Sequence, residues 1–140
     1  QKADIARCAE TLGLMETMFE ATLEYLKTRK QFGRPLGSFQ ALQHRMVEQY
    51  VAIDQLRSLI LRLTLLKSEE TEELGEMIAG VRAFAAEAGT ALGHETIQLH
   101  GGMGVSEEVI VATGHKRLMM LARYPYSAER AMDIYSGVSA

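Results

Sequence analysis

Two short stretches of this chain carry side chains whose types and spacing suit ligand chemistry. Thr28-Arg29-Lys30-Gln31-Phe32-Gly33 closes one long amphipathic run, and His94-Glu95-Thr96-Ile97-Gln98-Leu99-His100-Gly101-Gly102-Met103-Gly104 closes another. Arginine presents a planar fork of N–H donors that matches a diphosphate, and a glycine pair lets backbone come close to a ligand. Arg29, Gln31, Phe32, Gln98, Gly101 and Gly102 together form a donor set for a planar, negatively charged cofactor. Each also has a plainer reading: Arg29 as a cation complementing a helix C-terminus, the glycines as a helix stop. Spacing alone leaves both readings open.

Other candidate groups point away from metal and nucleophile chemistry. His94-Glu95 resembles the opening of a helical zinc motif, but the next histidine, His100, falls six residues on and not four. The two rings therefore do not share a helix face, and no metal is expected. His44 and His115 stand alone and read as surface or interhelix hydrogen-bonding groups. The single cysteine, Cys8, has no internal disulfide partner, which fits a reducing compartment such as a bacterial cytoplasm or a mitochondrial matrix.

The elements that must position these residues are long helices. Ile5, Leu12, Met15, Phe19, Leu23 and Leu26 mark one stripe over residues 3 to 28, with Gly33 past its end. Pro35 stops continuation, and Ser38 is the expected N-cap of a second helix with Leu42, Met46, Ile53, Leu56, Ile60, Leu63 and Leu66 on its buried side. Ser68 to Glu73 is expected as a polar turn leading into a third helix that carries Ile78, Val81, Phe84, Ala85, Ala88, Leu92 and Ile97. A fourth is expected to start at Ser106-Glu107-Glu108 and bury Val109, Val111, Leu118 and Leu121. Pro125 then separates a short last helix containing Met132 and Tyr135. At about 1.5 Å per residue the first two helices would be about 40 Å long. With no strand alternation to compete, the expectation is an all-α, up-and-down four-helix-type bundle with a short C-terminal helix.

Composition agrees with that fold and narrows the partners. The 140 residues suit one domain over residues 1–140, and 47 % hydrophobic with 24 % charged residues permits a real core. A net charge of -3 gives no general attraction to nucleic acid or to anionic membrane, so neither is an expected partner. No run approaches about 18 uncharged apolar residues, and no basic-then-apolar leader is seen. The start at Gln1, without an initiator methionine, is expected to mark a fragment of a longer chain.

The run from Tyr25 to His44, containing Thr28-Arg29-Lys30-Gln31-Phe32-Gly33-Arg34-Pro35-Leu36-Gly37-Ser38-Phe39-Gln40, resembles the signature of the acyl-CoA dehydrogenase C-terminal domain. Ile97-Gln98-Leu99-His100-Gly101-Gly102-Met103-Gly104 is similar to that family's second signature, in the right order and at a compatible distance. The resemblance implies a bundle that forms homo- or hetero-oligomers and completes a flavin adenine dinucleotide (FAD) site across a subunit interface. It implies that Arg29, Gln31, Phe32, Leu36 and Gln40 line one wall of that site, and that Gln98, Gly101 and Gly102 line the other, contributed by a paired subunit. The substrate implied is an acyl-CoA thioester, with electrons passed to an electron-transfer flavoprotein.

The catalytic base of the family has no match. Ungapped counting places its glutamate at Pro125 within Tyr124-Pro125-Tyr126, and a gapped alignment places it at Ser136. A minority of the family carries the base near the start of the first helix, which lands on Ala3. The adjacent Asp4 is turned away by about 100° and reads as a first-turn carboxylate, and Glu129 and Asp133 read as ordinary exposed charges. The catalytic residue is left unassigned. Retained cofactor residues with a missing base imply the flavin-gripping member of a heteromeric enzyme whose partner supplies the carboxylate. The same resemblance also admits a flavin-dependent monooxygenase or acyl-CoA oxidase, or a non-catalytic oligomerisation bundle.

Overall fold

A computed structural model describes residues 2–66 and 72–138. The expected helices form, as α1 (Lys2–Thr28), α2 (Gln40–Leu66), α3 (Glu72–His100), α4 (Ile110–Arg123) and α5 (Ala128–Tyr135). Cross-helix contacts give their directions. Phe19 meets Tyr50 and Glu16 pairs with Arg57, so α1 and α2 run antiparallel. Asp4 faces Arg82 and Tyr25 faces His100, so α1 and α3 run parallel. Arg82 reaches Leu121 while His94 meets His115, so α4 turns back along α3. The order is up, down, up, down, with α3 at the centre touching all four other helices.

The core is built from one line on each of α1 to α4: Met15 and Met18, Ile53, Leu56 and Leu63, Ile78, Val81 and Leu92, then Val111 and Leu118. On α1 the most buried line is rotated from the expected stripe. It runs through Cys8, Thr11, Met15, Met18, Thr22 and Leu26, and the Thr22 hydroxyl is accommodated by donating to the Met18 carbonyl at 2.7 Å. Burial pushes the Cys8 thiol up to about 11, so it stays protonated and inert at neutral pH.

Several boundary expectations are corrected. The Ser38 hydroxyl donates to the Pro35 carbonyl at 2.7 Å and does not cap α2, which instead starts on the Phe39 carbonyl accepting from Leu42 and Gln43. Helix α4 starts at Ile110, with Ser106 left in the preceding turn. Leu66, assigned to the buried side of α2, is exposed, and on α5 Met132 and Tyr135 are exposed while Ala131 is buried. The stretch Ser68–Thr71 of the expected polar turn lies outside the described residues. Strand is also present: Lys30–Gln31 (β1) and Arg34–Pro35 (β2) pair antiparallel around Phe32 and Gly33, whose φ angles are 54° and 77°. Two successive positive φ values make a tight hairpin turn, so Gly33 serves that turn and not the end of α1.

Arg82 is the pin of the α1–α3–α4 corner. Its side chain is 3 % exposed, and one terminal nitrogen donates to the carbonyls of Leu121, Tyr124 and Tyr126 at 3.0, 2.7 and 3.1 Å. Its Nε lies 3.7 Å from Asp4, which also pairs with Arg7 at 3.3 Å. Replacing Arg82 by Met strands those carbonyls, and chemical denaturation should register a loss of about 2–4 kcal/mol. A second expectation concerns His115, held below its ordinary value of 6.5 by burial and then by the neighbouring His94. The unfolded chain then binds the proton more readily. Stability contributed by neutral His115 is complete above about 6.5 and is lost as pH falls below it. Melting temperatures at pH 7 and pH 5 should differ less in a His115→Gln variant than in the wild type.

Candidate functional site

Because α1 and α3 are parallel, both of their C-termini arrive at one end of the bundle, and α2 begins at that same end. A groove of about 500 Å³ opens there. Tyr25 and Arg29 reach it from the last turn of α1, Gln31 from the hairpin, and Leu36 from the turn that follows. Leu42 and Arg45 come from α2, and the segment Gln98 to Met103 closes the other side.

Six of the residues singled out in the sequence are thus brought together: Arg29, Gln31, Leu36, Gln98, Gly101 and Gly102. Within one chain, Arg29 and the Gly101–Gly102 segment already border the same groove. The up-and-down order already places the ends of the first and third helices side by side. Phe32 and Gln40 do not line the groove. Phe32 sits at the hairpin tip, 89 % exposed, with its ring edge-on to Phe39 at 6.2 Å. Gln40 is exposed at the first residue of α2.

Charge in the groove is uneven. The C-termini of α1 and α3 bring carbonyl ends to this end of the bundle and the N-terminus of α2 brings amide ends, so the helix dipoles offset one another in part and the side-chain charges weigh more. Arg45 is engaged by Glu95, which holds its guanidinium more firmly protonated. Arg29 makes no ion pair among the described residues, so its charge faces the groove uncompensated. Gly101 ends α3 in the left-handed region at φ 60°, and Gly102 has no such angle. A Cβ added at either position would meet no atom within 4 Å.

Tyr25, Leu42, Arg45, Leu99, His100 and Met103 line the groove without having been singled out. Tyr25 and His100 stand inside the two motifs, one turn before Arg29 and directly before Gly101, and that adjacency was the available signal. Arg45 and Glu95 are 50 positions apart, and nothing local links them.

Residues 4–126 match the family model described as the acyl-CoA dehydrogenase C-terminal domain. The chain belongs to the acyl-CoA dehydrogenase family. It is 36 % identical to acyl-CoA dehydrogenase IpdE2 of Mycolicibacterium smegmatis over 82 % of this chain and 35 % of that protein. It is 30 % identical to the human mitochondrial short-chain specific acyl-CoA dehydrogenase over 99 % of this chain and 32 % of that one. Among solved structures, a chain of the ChsE4-ChsE5 complex from Mycobacterium tuberculosis superposes with a TM-score of 0.89 at 28 % identity, over 96 % of this chain and 36 % of that one. The domain therefore spans about a third of the length of such relatives. No helix among the described residues is long and apolar enough to cross a membrane.

The two glycines separate fold from ligand demands. Gly101→Ala must hold a side chain at positive φ and should lose about 1 kcal/mol in an unfolding titration. Gly102→Ala has ordinary backbone and open space, so its unfolding midpoint should match that of the wild type.

Proposed function

We propose that this chain is the C-terminal bundle of an FAD-dependent acyl-CoA dehydrogenase, and that its groove grips the diphosphate and adenosine portion of FAD at an interface with an associated chain. The observation that carries this reading is Gly102 beside Arg29. The fold makes no steric or conformational demand for glycine at 102, whereas a ligand approaching the backbone does. Arg29 brings an uncompensated guanidinium to the same groove, and Gln98 brings an amide. The exposed Phe32 at the hairpin tip, and Val47, Tyr50, Val51, Leu61 and Leu65 left exposed along α2, supply apolar surface for an associated chain to cover.

FAD, when bound, accepts the hydride that leaves the β-carbon of an acyl-CoA thioester as a carboxylate removes the α-proton. The part of this chain is to hold and orient. The positions that the family pattern offers for the base are poorly suited to take the proton: Asp4 is committed to Arg7 and Arg82, and Pro125 has no acidic group. At Ser136 the hydroxyl is spent on the Asp133 carbonyl at 3.2 Å. We therefore assign the base to a different, associated subunit, with electrons passing to an electron-transfer flavoprotein in a bacterial cytoplasm or a mitochondrial matrix. The likeness to a chain of the ChsE4-ChsE5 complex supports a two-component assembly of this kind.

The test uses the complete gene product, purified alone and together with the product of the neighbouring gene. Arg29→Ala should weaken FAD binding about tenfold or more, because it removes charged hydrogen bonds. Gly102→Ala should also weaken it, at an unchanged melting temperature. Wild-type flavin affinity in both variants sinks the groove assignment. Full turnover of acyl-CoA by the protein purified alone sinks the assignment of the base to a partner.

A further inference from the structure

The geometry points to Tyr25 as the positioning residue of the groove, setting the distance between Arg29 and the Gly101–Gly102 backbone. This rests on the flavin reading above and adds a residue to it. Tyr25 stands one helical turn before Arg29, whose backbone N–H donates to the Tyr25 carbonyl at 2.8 Å. Whatever fixes Tyr25 therefore fixes the root of the Arg29 side chain. The Arg29 carbonyl in turn accepts from Leu36 at 2.8 Å, which ties the hairpin to the same point.

On the other side, Tyr25 makes two contacts with the last residue of α3. Its hydroxyl donates to the His100 carbonyl at 3.3 Å, and its ring stacks on the His100 ring with centroids 4.4 Å apart and an angle of 23° between planes. That carbonyl is among the α3 groups beyond the reach of the helix's own hydrogen bonds. His100 is itself held. Its Nδ1 lies 2.8 Å from the Thr96 carbonyl, and since a carbonyl only accepts, Nδ1 carries the hydrogen. The Thr96 hydroxyl continues inward to the Gly93 carbonyl at 3.1 Å. His100 is 5 % exposed and Thr96 1 %, so this chain of contacts is a buried, fixed base.

Contacts such as Asp4 with Arg82 set the overall register of α1 and α3, and the last turn of each, at the open end of the bundle, still needs a local tie to stand at a fixed height. The Tyr25 hydroxyl supplies that tie because it reaches the peptide immediately before Gly101. Ring stacking sets the approach of the two helices, and the hydroxyl sets the height at which the glycine backbone stands opposite Arg29. A diphosphate that bridges the guanidinium and that backbone needs both distances at once, so loss of the hydroxyl should weaken ligand binding more than it weakens the fold.

Tyr25→Phe keeps the ring and deletes the hydroxyl. In the complete protein, FAD dissociation constants from flavin fluorescence and melting temperatures of the flavin-free form should be measured for wild type, Tyr25→Phe and Arg29→Ala. The expected result is a three- to tenfold higher FAD dissociation constant in Tyr25→Phe, on the order of one hydrogen bond, with an unchanged flavin-free melting temperature. If Arg29→Ala weakens FAD and Tyr25→Phe does not, the inference about Tyr25 fails while the groove stands. If Tyr25→Phe weakens FAD only alongside a matching drop in melting temperature, its role is structural and the inference fails. If neither variant changes FAD affinity, the groove reading fails and takes the inference with it.

Discussion

The parallel packing of α1 against α3 is the constraint from which the rest of the structure follows. Two helices of 27 and 29 residues that run the same way must deliver their C-termini to the same end, and the residues that end them become neighbours. Contacts hold that register along the whole length. Asp4 meets Arg82 near one end, a Cβ at Gly89 would press on Thr11 near the middle, and Tyr25 stacks on His100 at the other end. A slip of one turn would move Arg29 about 5.4 Å along Gln98–Gly102, enough to take a guanidinium out of hydrogen-bond reach of anything held by that backbone.

This arrangement has an electrostatic cost. An anion at this end meets the carbonyl ends of α1 and α3, offset only in part by the N-terminus of α2, which begins there too. The chain answers by breaking helical geometry at that point: Gly101 turns left-handed, and the following residues 101–105 form a short 3-10 turn. Arg29 then supplies a full charge against the partial charges of the carbonyls. With Arg45 engaged by Glu95, the groove depends on Arg29 more than its number of arginines implies.

Much of this was legible from residues alone. The helices were readable because a 3.6-residue period repeated over more than 25 positions is a strong signal, and their ends were marked by basic residues, glycine and proline. The hairpin was not. Strands of two residues have no period, and Phe32 occupies a position with φ 54° that usually calls for asparagine, aspartate or glycine. Burial on α1 was rotated because Thr11 and Thr22 read as polar in sequence, yet both are buried, with the Thr22 hydroxyl hidden on its own helix. Six of the twelve residues lining the groove were recoverable from the two motifs, and their meeting within one chain follows from the direction of the helices, which the motifs alone do not give. Long-range pairs such as Arg45 with Glu95, or Arg82 with the Tyr124 carbonyl, leave no local trace.

The corner built on Arg82 explains how a family member can carry proline where ungapped counting expects a glutamate. The guanidinium grips this turn through the backbone carbonyls of Tyr124 and Tyr126, and through Leu121 before it. Pro125 is exposed and joined to Tyr124 by a cis peptide bond. Asp4, a carboxylate at this corner, is drawn toward Arg82 and Arg7, where its charge supports the fold. A proton acceptor needs a carboxylate free to approach the substrate, and a pinned one serves poorly. Fold and chemistry are therefore separable at this corner: the turn is held through its backbone carbonyls, and no carboxylate at 125 is needed to hold it. A subunit that holds the flavin and leaves proton removal to its partner is what that separation permits.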